Sequence, residues 1–194
     1  KDNYIKLDFF NSSKILINHH NSYLKKYVYS LVLENKVSSA INLIKNNKNK
    51  ENTNFFDAYL LLILDSLKKN DLDKASVYLE KTTNLFQNDK FNSAILEILN
   101  QYIYVFKEKK ILKNKKNYGK LSIISETFQR CFLEDKKTDV YFLNLINDLE
   151  ADYTRYNFFY LSYLIDKNKV DKAKEITKNI HYINITLLLS QAKS

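Results

Sequence analysis

Proline is absent from this 194-residue chain, glycine occurs once, at Gly119, and tryptophan and methionine are missing. Sandwiches, barrels and phosphate-cradling loops are punctuated by glycine and proline, so a chain nearly free of both is expected to be helical throughout. Cys131 is the single cysteine, which excludes a disulfide within the chain and argues against a thiolate metal site. The longest apolar run, AYLLLIL at 58–64, is bounded by Asp57 and Asp65 and is far short of the roughly 20 residues of a membrane span. No transmembrane helix is expected. The start at Lys1 shows no charged, apolar and cleavage regions in succession. The compartment stays open: cytoplasmic by default, periplasmic or secreted if a leader has been removed.

Apolar residues make up 45% of the chain and aromatics 14%, enough for a sizeable core in one domain or one continuous array. The formal charge is +9, yet only Arg130 and Arg155 among the 31 basic residues are arginines. Base and phosphate recognition favours the guanidinium fork, which weakens a nucleic-acid reading. Abundant lysine, asparagine and isoleucine point to an A/T-rich genome, as in some bacteria. The charge is also local. Residues 107–120 hold seven lysines against Glu108, a net +6, leaving +3 for the rest. This basic loop, with Lys109, Lys110, Lys113, Lys115 and Lys116, reads as a solvated connection, with docking of something acidic as the alternative.

Apolar spacing of three and four residues predicts helices at 23–35 and from 37 onward, 55–69, 72–85, 91–110, 120–133, 138–149, 154–167 and 170–180, with a capping helix at 185–193. A short phrase recurs between paired helices: NKVSSA at 35–40, NDLDKA at 70–75 and NKVDKA at 168–173. Each part suits a helix–turn–helix corner. Asn35, Asn70 and Asn168 tolerate the left-handed conformation that ends a helix, in a chain without glycine to spare. Asp71 is placed to cap the second helix, and Asp73 and Asp171 put negative charge in its first turn. Ala40, Ala75 and Ala173 are small because two helices must cross closely there. Ala40 to Ala75 is 35 residues and Ala75 to Ala173 is 98, near three further units of about 33.

The pattern resembles the tetratricopeptide repeat, best over 56–87, where Tyr59, Leu62, Ala75, Leu79 and Thr82 fall on the family's positions. The resemblance implies an all-α, right-handed alpha-alpha superhelix, a solenoid of antiparallel helix hairpins in a single domain. Its units are 21–54, 56–89, a degenerate 90–152, and 154–182. Departures are Val28, Ile63 and Leu161 in place of the family's small residue, and the missing terminal proline.

Arrays of this kind bind a peptide or helix of a partner in a concave groove lined by the first helix of each pair. The resemblance puts Lys25, Tyr29, Asp57, Leu60, Leu64, Leu67, Lys68, Arg155 and Phe158 on that groove. Leu60, Leu64 and Leu67 form its apolar stripe. A carboxylate-clamping version of the family matches at Lys25 but has asparagines where Tyr29 and Leu61 stand, so that ligand is disfavoured. His19 and His20 are sequence neighbours and His181 is distant, which argues against a metal site. No nucleophile signature and no Walker or dinucleotide loop is present. The aromatic run at 153–164 reads as packing between helices rather than as a stacking platform. No enzyme activity and no cofactor is expected, and the function expected is that of a protein-binding scaffold. The alternatives are a single-strand RNA binder of pentatricopeptide type and a structural part of a larger assembly.

Overall fold

The computed structural model describes residues 8–12, 21–47, 53–86, 88–148 and 154–179. These contain no strand; residues 8–12 are helical, and nine longer α-helices follow: α1 (Asn21–Leu33), α2 (Val37–Asn47), α3 (Phe56–Lys68), α4 (Leu72–Phe86), α5 (Lys90–Glu108), α6 (Lys120–Phe132), α7 (Thr138–Ile146), α8 (Asn157–Asp166) and α9 (Val170–Asn179). The predicted helix at 154–167 begins with a 3-10 turn, Thr154–Tyr156, before α8. The one predicted at 138–149 stops at Ile146. The capping helix predicted at 185–193 lies outside the described residues, as do the three histidines. Packing divides the chain into two compact units, with the boundary after Lys107.

The turn chemistry holds at atomic level. Asn35, Asn70 and Asn168 all have φ between 56° and 58°, the left-handed region. At each, the next backbone N–H reaches back across the turn to the carbonyl five residues earlier: Lys36 to Leu31 at 2.8 Å, Asp71 to Ser66 at 2.9 Å and Lys169 to Leu164 at 2.8 Å. This is the double bond pattern that satisfies the last carbonyls of a helix. Asp71 Oδ1 accepts the Lys74 N–H at 3.1 Å, capping α4. A fourth corner was not legible in the sequence. Glu134, at φ 54°, joins α6 to α7, with the Asp135 N–H on the Arg130 carbonyl at 3.0 Å. The left-handed residues are therefore 35 apart in the first unit (35 and 70) and 34 apart in the second (134 and 168). The segment read as a degenerate repeat contains the long α5 and the whole α6–α7 hairpin.

Unit 1 has two apolar layers. Leu24, Tyr27, Val28, Ile41, Ile44, Ala58, Tyr59 and Leu62 join the α1–α2 hairpin to α3. On the other side of α3, Ile63, Ala75, Leu79, Leu96, Leu99 and Ile103 join α3 and α4 to α5. Ala40 and Ala75 have no exposed surface, as close helix crossings require. Within residues 8–12, Phe10 lies over Tyr23 and Tyr27, with ring centroids 5.2 and 5.7 Å apart, and its carbonyl accepts the Tyr23 hydroxyl.

Unit 2 is built around rings. Phe142 of α7 stacks on Tyr160 of α8 at 5.0 Å, and Phe128 of α6 meets Phe142 edge-on at 5.8 Å. Leu161, Leu164 and Ala173 complete the cluster. Within the run at 153–164, Tyr160, Leu161 and Leu164 serve as helix-to-helix packing, and Phe159 meets Phe128 edge-on while staying 45% exposed. Gly119 opens α6 with φ 61° and ψ −131°, a backbone state L residues rarely adopt, which accounts for the one glycine kept in the chain.

Candidate functional site

Three residues predicted for the groove converge in unit 1. Lys25 and Tyr29 sit one turn apart on α1, and Asp57 sits in the first turn of α3. The Lys25 ammonium lies 3.8 Å from the Asp57 carboxylate. It also lies 5.9 Å from the Tyr29 ring centre and 6.0 Å from that of Phe55, within reach of cation–π attraction. Burial, together with Asp57 accepting its hydrogen bond, pushes the Tyr29 hydroxyl up from its ordinary value. The cluster is nonetheless open: Tyr29 is 44% exposed, and Leu64, two turns along from Asp57, is 46% exposed. Lys68 is exposed at the end of the same face.

Leu60 and Leu67 are placed differently from the predicted stripe. Both pack against the layer that contains Ile63 and α5, which leaves Leu64 as the open leucine of the three. At about 100° per residue, Leu64 lies close to the azimuth of Asp57 and Lys68 and roughly 100° from Ile63, while Leu60 and Leu67 fall between the two, so packing rather than angle decides which side they join. Arg155 and Phe158 belong to unit 2. The Arg155 guanidinium lies 4.9 Å over the Tyr156 ring and donates to its hydroxyl at 3.2 Å, and Phe158 meets Phe159 edge-on at 5.4 Å.

The lysine-rich segment is largely neutralised within the fold. Lys107 pairs with Asp73 at 2.7 Å, Lys110 with Glu108 at 3.6 Å, and Lys115 with Glu126 at 2.7 Å, while Lys120 pairs with Asp148. Lys109 lies 4.8 Å over the Phe132 ring. Lys113 and Lys116 are exposed. Lys115 is the anchor, because Glu126 also takes Arg130, whose guanidinium lies 4.3 Å over the Tyr141 ring and 3.1 Å from Asp135. Burial alone would raise the Glu126 carboxyl. The hydrogen bonds from Lys115, Arg130 and Tyr141 outweigh that and hold it at about 2.

A second ionic centre joins α7, α8 and α9. Asp139 accepts the Tyr160 hydroxyl at 3.0 Å and pairs with Lys169 at 2.6 Å and Lys172 at 3.5 Å. Its carboxyl lies below the usual range because those hydrogen bonds overcome its burial. Burial pushes the Cys131 thiol up, away from the state of a poised nucleophile. Among the described residues no three His, Cys, Asp or Glu side chains gather as a metal would need, and no helix is long and apolar enough to cross a membrane.

Asp139, Glu126 and Glu134 had no sequence signal strong enough to single them out, because each is one carboxylate on a charged helix face or turn. Comparison with protein-family models, with curated proteins and with solved structures finds no match.

Proposed function

We propose that the chain is a non-catalytic, tetratricopeptide-like scaffold whose hairpins stack as short pieces of a right-handed solenoid and bind a peptide or helix of another protein. The binding face is the one shared by α1 and α3. The observation that carries this reading is the convergence of Lys25, Tyr29 and Asp57, from the first helices of two successive hairpins, beside the exposed Leu64. A face with an apolar side chain, an aromatic ring and a loosely paired ion couple suits an amphipathic segment that offers its own charges to Lys25 and Asp57. The 35-residue spacing of the left-handed asparagines and the buried alanines at the crossings support the repeat assignment.

The RNA-binding reading is less well supported, because the lysines that suggested it are paired with Asp73, Glu108, Glu126 and Asp148. The test is a peptide-display selection on the purified chain. Selected peptides should lose binding at least tenfold to the double variant Tyr29→Ala/Leu64→Asp, and keep it with Leu85→Asp, an equally exposed leucine on α4. Binding untouched by the first variant, or salt-sensitive capture of single-stranded RNA in place of peptides, would overturn the reading.

A further inference from the structure

A cavity of about 120 Å³ opens in unit 1 between α2, α3 and α4. It lies on the opposite face of α3 from Asp57, Leu64 and Lys68, so it is separate from the proposed peptide face. Its floor is largely apolar: Ile44, Ala58 and Leu62, none more than 5% exposed, line it beside Tyr78 and the buried Thr53. The Tyr59 hydroxyl donates to Asn54 at 2.8 Å, leaving the ring as the surface that lines the space.

The rim is cationic. Lys45 and Lys81 both line the cavity, and the Lys81 ammonium stands 5.4 Å over the Tyr59 ring. Among the described residues no carboxylate lies within ion-pair distance of Lys81. Lys45 is paired with Asp65 at 2.7 Å, but Lys69 takes the same carboxylate at 2.8 Å. Two ammonium groups thus share the one Asp65 carboxylate, and Lys81 adds a further positive charge beside the buried apolar floor.

We infer that this cavity binds a short-chain organic carboxylate, with its hydrocarbon tail on Ile44, Ala58 and Leu62 and its head group between Lys81 and Lys45. Size and chemistry together select this class. One water-sized group needs about 10–15 Å³ of such space, so a chain of a few carbons fits, while a nucleotide does not. Inorganic phosphate would meet the lysines and leave the apolar floor unused. A neutral alcohol would use the floor and leave the charge unanswered.

The test is titration of the isotope-labelled full chain with butyrate and hexanoate, read by amide chemical shifts, with 1-hexanol and inorganic phosphate as parallel arms at constant ionic strength. The expected result is saturable shifts at Ile44, Ala58 and Leu62 below about 20 mM hexanoate. Binding should fall at least fivefold in Lys81→Gln and be retained in Lys81→Arg. Lys81 is exposed, so neither variant should disturb the fold, which unchanged amide spectra without ligand would verify. The inference is overturned by the absence of saturable shifts, by equal binding to Lys81→Gln, or by phosphate or hexanol binding as tightly as hexanoate.

Discussion

The side chains most completely enclosed in unit 1 include Leu24, Val28, Ile44 and Ile63, whereas those of unit 2 include Phe142 and Tyr160 beside Leu145 and Leu164. Both units use the same corner, a left-handed residue with two backbone bonds closing the helix end, but they fasten successive hairpins differently. In unit 1 the hairpins meet through largely aliphatic layers on two sides of α3, edged by the ion pairs Lys45–Asp65–Lys69, Lys25–Asp57 and Lys107–Asp73. In unit 2 they meet through stacked rings and two ionic centres, Glu126 with Lys115 and Arg130, and Asp139 with Tyr160 and Lys169. Even the buried face of α6 is polar: Gln129 donates to Ser125 at 2.8 Å and Thr127 to the Ile123 carbonyl at 2.8 Å. Aliphatic packing is indifferent to pH and tolerant of sliding. Rings and ion pairs fix geometry more narrowly and bring titration with them.

The difference can be broken most directly at its centre. Phe142→Ala removes a ring with no exposed surface and should cost unit 2 about 3 to 5 kcal/mol. Hydrogen exchange should then accelerate through α6–α9 while α1–α4 keep their protection. Equal loss across the chain would mean that the two units unfold as one.

Ala75→Leu attacks unit 1 at a fully buried crossing and should destabilise by about 1 to 3 kcal/mol in urea unfolding, as should Ala173→Leu in unit 2. A neutral outcome at both would show that the crossings are looser than full burial implies, and would remove the main packing support for a repeat.

Acid should separate the units. Carboxyls are lowered in both units, Asp65 by Lys45 and Lys69 and Asp73 by Lys107 in unit 1 and Asp139 in unit 2, but the large shift is that of Glu126, held at about 2 against its ordinary 4.5. A depressed carboxyl contributes stability above its unfolded value, and that contribution is lost as pH falls from about 4.5 toward 2. For Glu126, whose side chain is 17% exposed, the loss is on the order of 2 kcal/mol after allowance for solvent screening. Protection of α6–α9 should therefore fall before that of α1–α4 between pH 4.5 and 2.5. Glu126→Gln should flatten the dependence, and a uniform loss would sink the contrast.

The smallest effect is the sharpest check on the corners. Glu134 holds φ 54°, a conformation that is unfavourable for an ordinary residue by about 1 kcal/mol, so Glu134→Gly should raise the melting temperature by a few degrees. Its partner Lys167, at 2.6 Å, pairs with a Glu134 side chain 69% exposed, and losing that pair costs little. Asn70→Gly, where asparagine already suits the left-handed state, should change stability much less. Equal responses would mean that Glu134 bears no strain.

The amino-acid sequence by itself determined the helices, three of the four corners and the buried alanines, because each follows from a local rule. Asparagine accepts positive φ, apolar residues recur with the helical period, and a small residue permits a close crossing. That Lys25 and Tyr29 of α1 meet Asp57 of α3 was an expectation of the resemblance alone, since spacing within one helix does not say what a second helix brings to it. Tertiary structure alone decided which side of α3 would stay open. A helix apolar nearly all round has no preferred buried face until the layer shared with α4 and α5 takes up Leu60 and Leu67, leaving Leu64 exposed. It also decided that Glu134 would form a corner without asparagine, and that the lysine-rich segment would be neutralised by Asp73, Glu126 and Asp148. Two of those pairings, to Asp73 and Asp148, span 34 and 28 residues, and no periodicity within a helix records which distant carboxylate an ammonium will meet.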